Sequence, residues 1–235
     1  FGDGLYVTEQ GHRRVLRADA DGATVPFAEG LGWVMDIEVS TGGPFGEFLY
    51  ATAFAETTLE GQVLRISPTG EASVFAGGLL SPRGLAFSGA CLEVMENGGR
   101  ILCLDPAGEG SVLVDGLSSG VELVHGRGDA FGVDRYVTRS VPDGVERVAA
   151  NGESTPLASS LSHPIDLAFP PASGSSYPPG MYAVENESGR ISLVDGAGDV
   201  RPFATGLSRP VAIAFDETGG FGGRLFVTEQ GTGEI

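Results

Sequence analysis

The residues of this chain whose types and spacing could do chemistry are carboxylates. Asp36, Glu122 and Asp166 stand at the third position of one kind of short apolar run, and Glu96 and Glu185 stand at the end of another. Where two such positions share a rim, their oxygens converge, and a set of hard oxygen donors is what Ca²⁺ or Mg²⁺ requires, with Asn97 or Asn186 able to add neutral oxygens. One repeat holds both Asp166 and Glu185, with His163 just before them, so Asp166 leads the candidate ligands. His163 could serve as a general base or a metal ligand, since an unperturbed imidazole titrates near neutrality; the plainer reading is a solvated loop histidine. His12 falls in a tight turn and His125 at the far end of a run, where both read as structural or exposed. No histidine pair at zinc spacing is present, so a zinc-bound water has no support.

The elements that must position these acids follow from self-similarity along the chain. Segments opening at Leu5, Leu49, Leu92, Arg135, Met181 and Leu225 align at spacings of 44, 43, 43, 46 and 44 residues. After each of the first five comes a second alternating run that ends in a turn glycine: Gly22, Gly70, Gly108, Gly152 and Gly198. A third run closes on Leu31, Leu79, Leu117, Leu161 and Leu207, and a fourth contains VMDIEV, PRGLAF, GVELVH, PIDLAF and PVAIAF. Four short strands at this period make a β-propeller blade, a small sheet that buries both faces against its neighbours. The sequence therefore predicts an all-β chain, one propeller domain over 1–235, with the fourth run as the inner strand of the following blade. It favours a six-bladed propeller truncated at both ends, with a five-bladed closed ring as the alternative. In either, the ends of the second strands and the starts of the inner strands line one rim.

Composition agrees and narrows the partners. With 38 Gly and 14 Pro in 235 residues, the longest stretch free of both runs only from Glu47 to Glu60, which leaves little chain for long helices. Acidic residues outnumber basic ones 31 to 14, a formal charge of −17, so duplex nucleic acid and anionic membranes would be repelled and a cationic small-molecule or protein ligand is favoured. Every basic residue is Arg, which removes Schiff-base and P-loop lysine chemistry. No apolar run is long enough to span a membrane, and a monomer is expected. Cys91 and Cys103 flank Gly98 and Gly99. A two-glycine hairpin turn would set Asn97 opposite Arg100 and separate the cysteines by about 10 Å, too far for a disulfide, so both are read as small buried hydrophobes. The stretch from Ala53 to Gly61 makes one rim loop longer than its equivalents, either a lid or tolerated variation.

The strings VMENGGRI at Val94, AVENESGRI at Ala183 and VTEQGHRRV at Val7 resemble the NHL repeat. The longer period, with FxxGL before xPxxLAF, is similar to bacterial propellers of the NHL, senescence-marker/gluconolactonase and streptogramin-lyase superfamily. That resemblance implies an alternative use for some of the acids, because the NHL acid pairs with the Arg that opens the next strand: Glu9 with Arg14, Glu96 with Arg100, Glu185 with Arg190. Asp36, Glu122 and Asp166 have no such partner built in, although Arg139 could neutralise Glu122. The resemblance also implies an extracellular or periplasmic setting. It implies three functions: a binding or scaffold propeller, a metal-dependent lactonase, or a lyase using His163 as base. The gluconolactonase Glu-Gly-Pro opening and Pro-Asn-Gly ligand segment have no counterpart here, and no complete catalytic set is visible, so the sequence favours the binding propeller.

Overall fold

A computed structural model describes residues 4–58, 60–89, 91–233 and 235. The first three residues of the opening repeat, and Leu59 of the long loop, lie outside the described residues. Strands carry nearly all the regular structure, with single 3-10 turns at Gln10–His12 and Gly43–Phe45. The chain divides into two compact units, 1–116 and 117–235.

The first unit holds three antiparallel meanders. The first is β1 (Leu5–Glu9), β2 (Arg14–Ala18) and β3 (Thr24–Ala28). The second is β4 (Trp33–Thr41), β5 (Glu47–Phe54), β6 (Gly61–Ile66) and β7 (Ala72–Leu79); the third is β8 (Pro82–Ser88), β9 (Cys91–Glu96), β10 (Arg100–Leu104) and β11 (Gly110–Val114). The second unit repeats the plan. It comprises β12 (Leu123–His125), β13 (Arg135–Ser140), β14 (Asp143–Val148) and β15 (Ser154–Ala158), then β16 (Pro164–Ala168), β17 (Met181–Glu185), β18 (Arg190–Val194) and β19 (Val200–Thr205), and last β20 (Pro210–Phe215) with β21 (Leu225–Glu229). We number these six sheets as blades 1 to 6. Blades 2 to 5 are complete, blade 1 has three strands and blade 6 has two. This is the strand complement of five four-stranded blades with one strand over, the alternative that the repeat left open, and not of the six blades that the repeat favoured.

Alternation along the strands explains the packing. In β5 and β9 both faces are buried, as a blade sandwiched between blades requires. Within each unit the blades meet through aromatic clusters: Phe45, Tyr50, Phe75 and Phe87 between blades 2 and 3, Phe131, Tyr136 and Phe169 between blades 4 and 5, and Tyr182, Phe203 and Phe215 between blades 5 and 6. The tyrosines are not spare polar groups. Each hydroxyl donates to a loop carbonyl of its own blade, Tyr50 to Phe45 at 2.8 Å and Tyr136 to Phe131 at 2.6 Å. The turn glycines have a second reason besides their φ. At Gly70 (φ 85°) and Gly198 (φ 89°) an added Cβ would run into the carbonyl oxygens of Phe27 and Leu157 in the preceding blade, so only glycine lets the blades approach.

One expectation is overturned. Cys91 and Cys103 form a disulfide, with Cα atoms 5.2 Å apart. The turn contains three residues, since Arg100 pairs with Glu96 rather than with Asn97, and Cys103 faces Glu93. That one-residue difference brings the diagonal Cys91 within bridging range. Among the described residues no helix is long and apolar enough to cross a membrane.

Candidate functional site

The leading strands of blades 2, 3, 5 and 6 begin irregularly. Register shifts fall between Val34 and Ile37, Pro82 and Leu85, Pro164 and Asp166, and Pro210 and Ala212. A bulge frees backbone N–H groups from the ladder, and they must find acceptors elsewhere. Threonines of the second strand supply some of them: Thr52 Oγ1 accepts from Asp36 N at 3.1 Å, Thr138 Oγ1 from Glu122 N at 2.9 Å and Thr228 Oγ1 from Ala212 N at 3.0 Å.

The third-position acids supply the rest. Asp36 accepts from Ile37 N on one oxygen and from Leu85 N, on the leading strand of the next blade, on the other, both at 2.7 Å. Asp166 does the same with Leu167 N at 2.7 Å and Ile213 N at 2.6 Å. These two aspartates therefore pin one leading strand to the next. Glu122 accepts from Leu123 N at 2.9 Å. Burial pushes the Asp36 carboxyl up to about 7, against the two backbone N–H bonds that pull it down.

The second-strand glutamates close a different set of contacts. Glu185 is fully buried; it accepts from Arg190 Nε at 2.6 Å, from Arg190 Nη2 at 2.9 Å, from the Ser192 hydroxyl, and from Ser162 N at 2.6 Å. Glu96 takes the Arg100 guanidinium and Leu80 N, and Glu9 takes Arg14. The Glu-to-Arg pairing implied by the NHL resemblance is thus present in blades 1, 3 and 5. In blades 3 and 5 the glutamate also holds the loop that enters the leading strand. Arg139 pairs with Glu146, at 3.3 Å.

His163 sits next to Glu185 but serves the backbone. Its φ of 49° is left-handed, and its carbonyl accepts from Asn186 N. Ser81 (φ 59°) and Arg209 (φ 53°) occupy the same place before Pro82 and Pro210, with carbonyls that accept from Asn97 and Gln230. Three unrelated side chains share this strained position, which costs about 1 kcal/mol or more for each, so it belongs to the fold rather than to a catalytic group.

The structure therefore brings Asp166, Glu185 and His163 to one end of blade 5, and Asp36 and Glu96 into the first unit. Among the described residues no group of three His, Cys, Asp or Glu side chains gathers closely enough to hold a metal ion, and the oxygens of the rim acids already serve N–H donors, so this set does not fit a Ca²⁺ or Mg²⁺ centre. Two clefts of about 250 and 260 Å³ are lined by other residues, the first by Gly32, Glu56 and Gln62, the second by Arg127, Phe169 and Tyr177.

Another constellation in the first unit escaped the sequence reading. Arg83 lies over the ring of Phe54, 5.9 Å from its centroid, with Nη1 3.8 Å from Met35 Sδ. Phe54 pairs with Trp33 in the β4–β5 register, and Arg13 stacks on Trp33 at 5.3 Å while pairing with Glu56 of the long loop. Gln10 Nε2 donates to Met35 Sδ at 3.0 Å. A signal for it existed. At the second position of the leading strands the residues are Met35, Val121, Ile165 and Val211, and Arg83 is the charged exception.

No family model and no curated protein matches the sequence. Solved structures do. A gluconolactonase from Xanthomonas campestris superposes with a TM-score of 0.76 at 14% identity, covering 96% of this chain and 79% of that one. An auxiliary nutrient binding protein from Bacteroides thetaiotaomicron gives 0.75 at 14% identity over 100% and 65% of the two chains. A streptogramin B lyase gives 0.67 at 18% identity over 97% and 73%. At such identities the likeness speaks for architecture alone: the chain has the β-propeller fold that an enzyme of lactones, a lyase and a binding protein share.

Proposed function

We propose that this chain is a ligand-binding propeller whose rim acids are structural. The observation that carries the reading is the commitment of those acids: Asp36 and Asp166 each bond two backbone N–H groups, and Glu185 bonds a backbone N–H, a hydroxyl and the Nε and Nη2 donors of Arg190. A metal entering there would have to displace bonds that tie blade to blade. The likeness to an auxiliary nutrient binding protein supports a small-molecule ligand. The disulfide supports an extracellular or periplasmic setting, because such bonds persist in oxidising compartments.

The lactonase-type alternative draws on the gluconolactonase likeness and on the closeness of His163 to Glu185. Titration with Ca²⁺ and Mg²⁺, followed by calorimetry and melting temperature, separates the two readings. The binding reading expects no heat and no melting shift at millimolar metal, and no turnover of lactones or aryl esters. Metal-dependent turnover that disappears in Asp166→Ala would replace it with the lactonase reading.

A further inference from the structure

Charge alone does not account for Arg83, in a chain where acids outnumber cations 31 to 14. Arg14, Arg100, Arg127, Arg139, Arg147 and Arg190 each pair with a carboxylate. Arg83 does not pair with one among the described residues. Its guanidinium meets a thioether, which is a weak acceptor, and a ring face, and its Nε is shut off from water and donates to nothing. The acid nearest in sequence to its contacts, Asp36, has turned instead to the N–H groups of Ile37 and Leu85. A partly buried guanidinium in this state lacks the counter-charge that would offset its lost hydration.

We propose that Arg83, Met35, Phe54 and Trp33 form a binding site for a small organic carboxylate, with the guanidinium taking the carboxylate and the thioether and rings taking an apolar or planar body. The inference rests on the reading of the chain as a binding propeller. Trp33 is 39% exposed and is held from behind by Arg13, which Glu56 of the long loop fixes in turn, so the wall is partly built yet open. Aromatic faces and a polarizable sulfur suit a carbon skeleton, whereas a compact inorganic dianion would find one uncompensated cation on a chain of net charge −17 and nothing to use the rings. The long loop then has a role as the support of one wall.

Trp33 is the only tryptophan of the chain, so its emission reports on this site alone. The whole protein is titrated with benzoate, benzamide and inorganic phosphate. Benzoate should give a saturable change in tryptophan emission, with benzamide and phosphate weaker by about tenfold or more, the scale of one charge-assisted contact. Arg83→Met should weaken benzoate by about tenfold or more. Arg83→Lys, which keeps the charge and loses the planar fork, should weaken it severalfold and serves where the methionine variant does not fold. Equal binding of benzoate and benzamide, phosphate binding as tight as benzoate, no saturable response to benzoate, or unchanged benzoate binding in Arg83→Met would each overturn the assignment. Those outcomes leave the binding reading intact; that reading falls on metal-dependent turnover, which this titration does not measure.

Discussion

Blades 4 and 5 solve the same problem with opposite charges. In blade 5 the second strand ends on Glu185, opposite Arg190, and Ser192 stands opposite Ala183. In blade 4 the corresponding places hold Arg139 opposite Gly144 and Glu146 opposite Val137, so the cation and the anion have exchanged strands. The exchange is not neutral. Glu185 has every oxygen engaged and reaches Ser162 N in the loop that enters the leading strand. Arg139 and Glu146 share a single bond of 3.3 Å, and Arg139 Nε and Glu146 Oε2 are buried without a partner. A guanidinium cannot accept from a backbone N–H, so the swap removes the acceptor that orders the entering loop. The leading strand of blade 4 is correspondingly the shortest, three residues against five in blade 5. A carboxylate at this position thus does two jobs, countering a charge and capping a loop, and its swapped counterpart does only the first.

The largest effect that tests this comparison is the loss of Glu185. Glu185→Ala leaves Arg190, Ser192 and Ser162 N without their acceptor, and a cost of about 3–5 kcal/mol is expected. For a chain of this size that lowers the melting temperature by roughly 10 °C. Replacing both partners with methionine should recover only part of it, because the loop N–H stays uncapped. Full recovery in the Glu185→Met/Arg190→Met protein, read by thermal or urea unfolding, would show that the loop bond contributes little and would break the comparison.

A second test moves to blade 3, which has the same glutamate node and a covalent link besides. Removing the disulfide with Cys91→Ser/Cys103→Ser should cost about 2–3 kcal/mol, as its 12-residue separation suggests. The urea midpoint of oxidised and reduced protein measures it. If the node already fixes the β9–β10 hairpin, the cost falls toward zero, and blade 3 becomes a second copy of blade 5 rather than a reinforced one.

How much of this was legible follows from where each partner lies along the chain. Strand repeats and the Glu96–Arg100 and Glu185–Arg190 pairs are local, four or five residues apart, so alternation and spacing expose them. Asp36 and Asp166 were visible as acids without a local partner, which suggests ligands; their acceptor role depends on N–H groups 49 and 47 residues away that a bulge sets free, and no side-chain pattern encodes a freed N–H. The disulfide turned on one residue of turn length, because a single-residue slip in an antiparallel pair moves side chains to the other face. Arg83 was legible in the second column of the leading strands, but only its burial without an anion distinguishes it from a solvated arginine.

The aspartate staples carry a smaller, pH-dependent signature. Asp36 has its pKa raised by burial to about 7 in the folded chain, from 3.8. Folded protein therefore holds a proton that unfolded protein has lost. The contribution of Asp36 to stability is therefore full below about pH 4 and declines as pH rises to 7, the reverse of a salt-bridged carboxylate. A loss of about 2 kcal/mol over that window is expected for a residue that is only partly buried. Asp36→Asn should flatten the slope while lowering stability at acid pH, since an amide can accept only one of the two N–H bonds. An unchanged slope in that variant would assign the pH dependence elsewhere.

The smallest effect sharpens the comparison most, because the comparison specifies its sign. Arg139 and Glu146 are each 6% exposed, and the desolvation of two ions is repaid by one long bond. Either single replacement strands a buried charge and should destabilise. Arg139→Met/Glu146→Leu removes both charges, both unpartnered atoms and no loop cap, so it should leave stability unchanged or raise it by about 1 kcal/mol. The double-mutant cycle, built on urea midpoints, separates the pair from its surroundings. A double variant as damaged as the worse single one would mean that Arg139 holds the entering loop of blade 4 through contacts of its own, and the two blades would then differ in sign of charge but not in function.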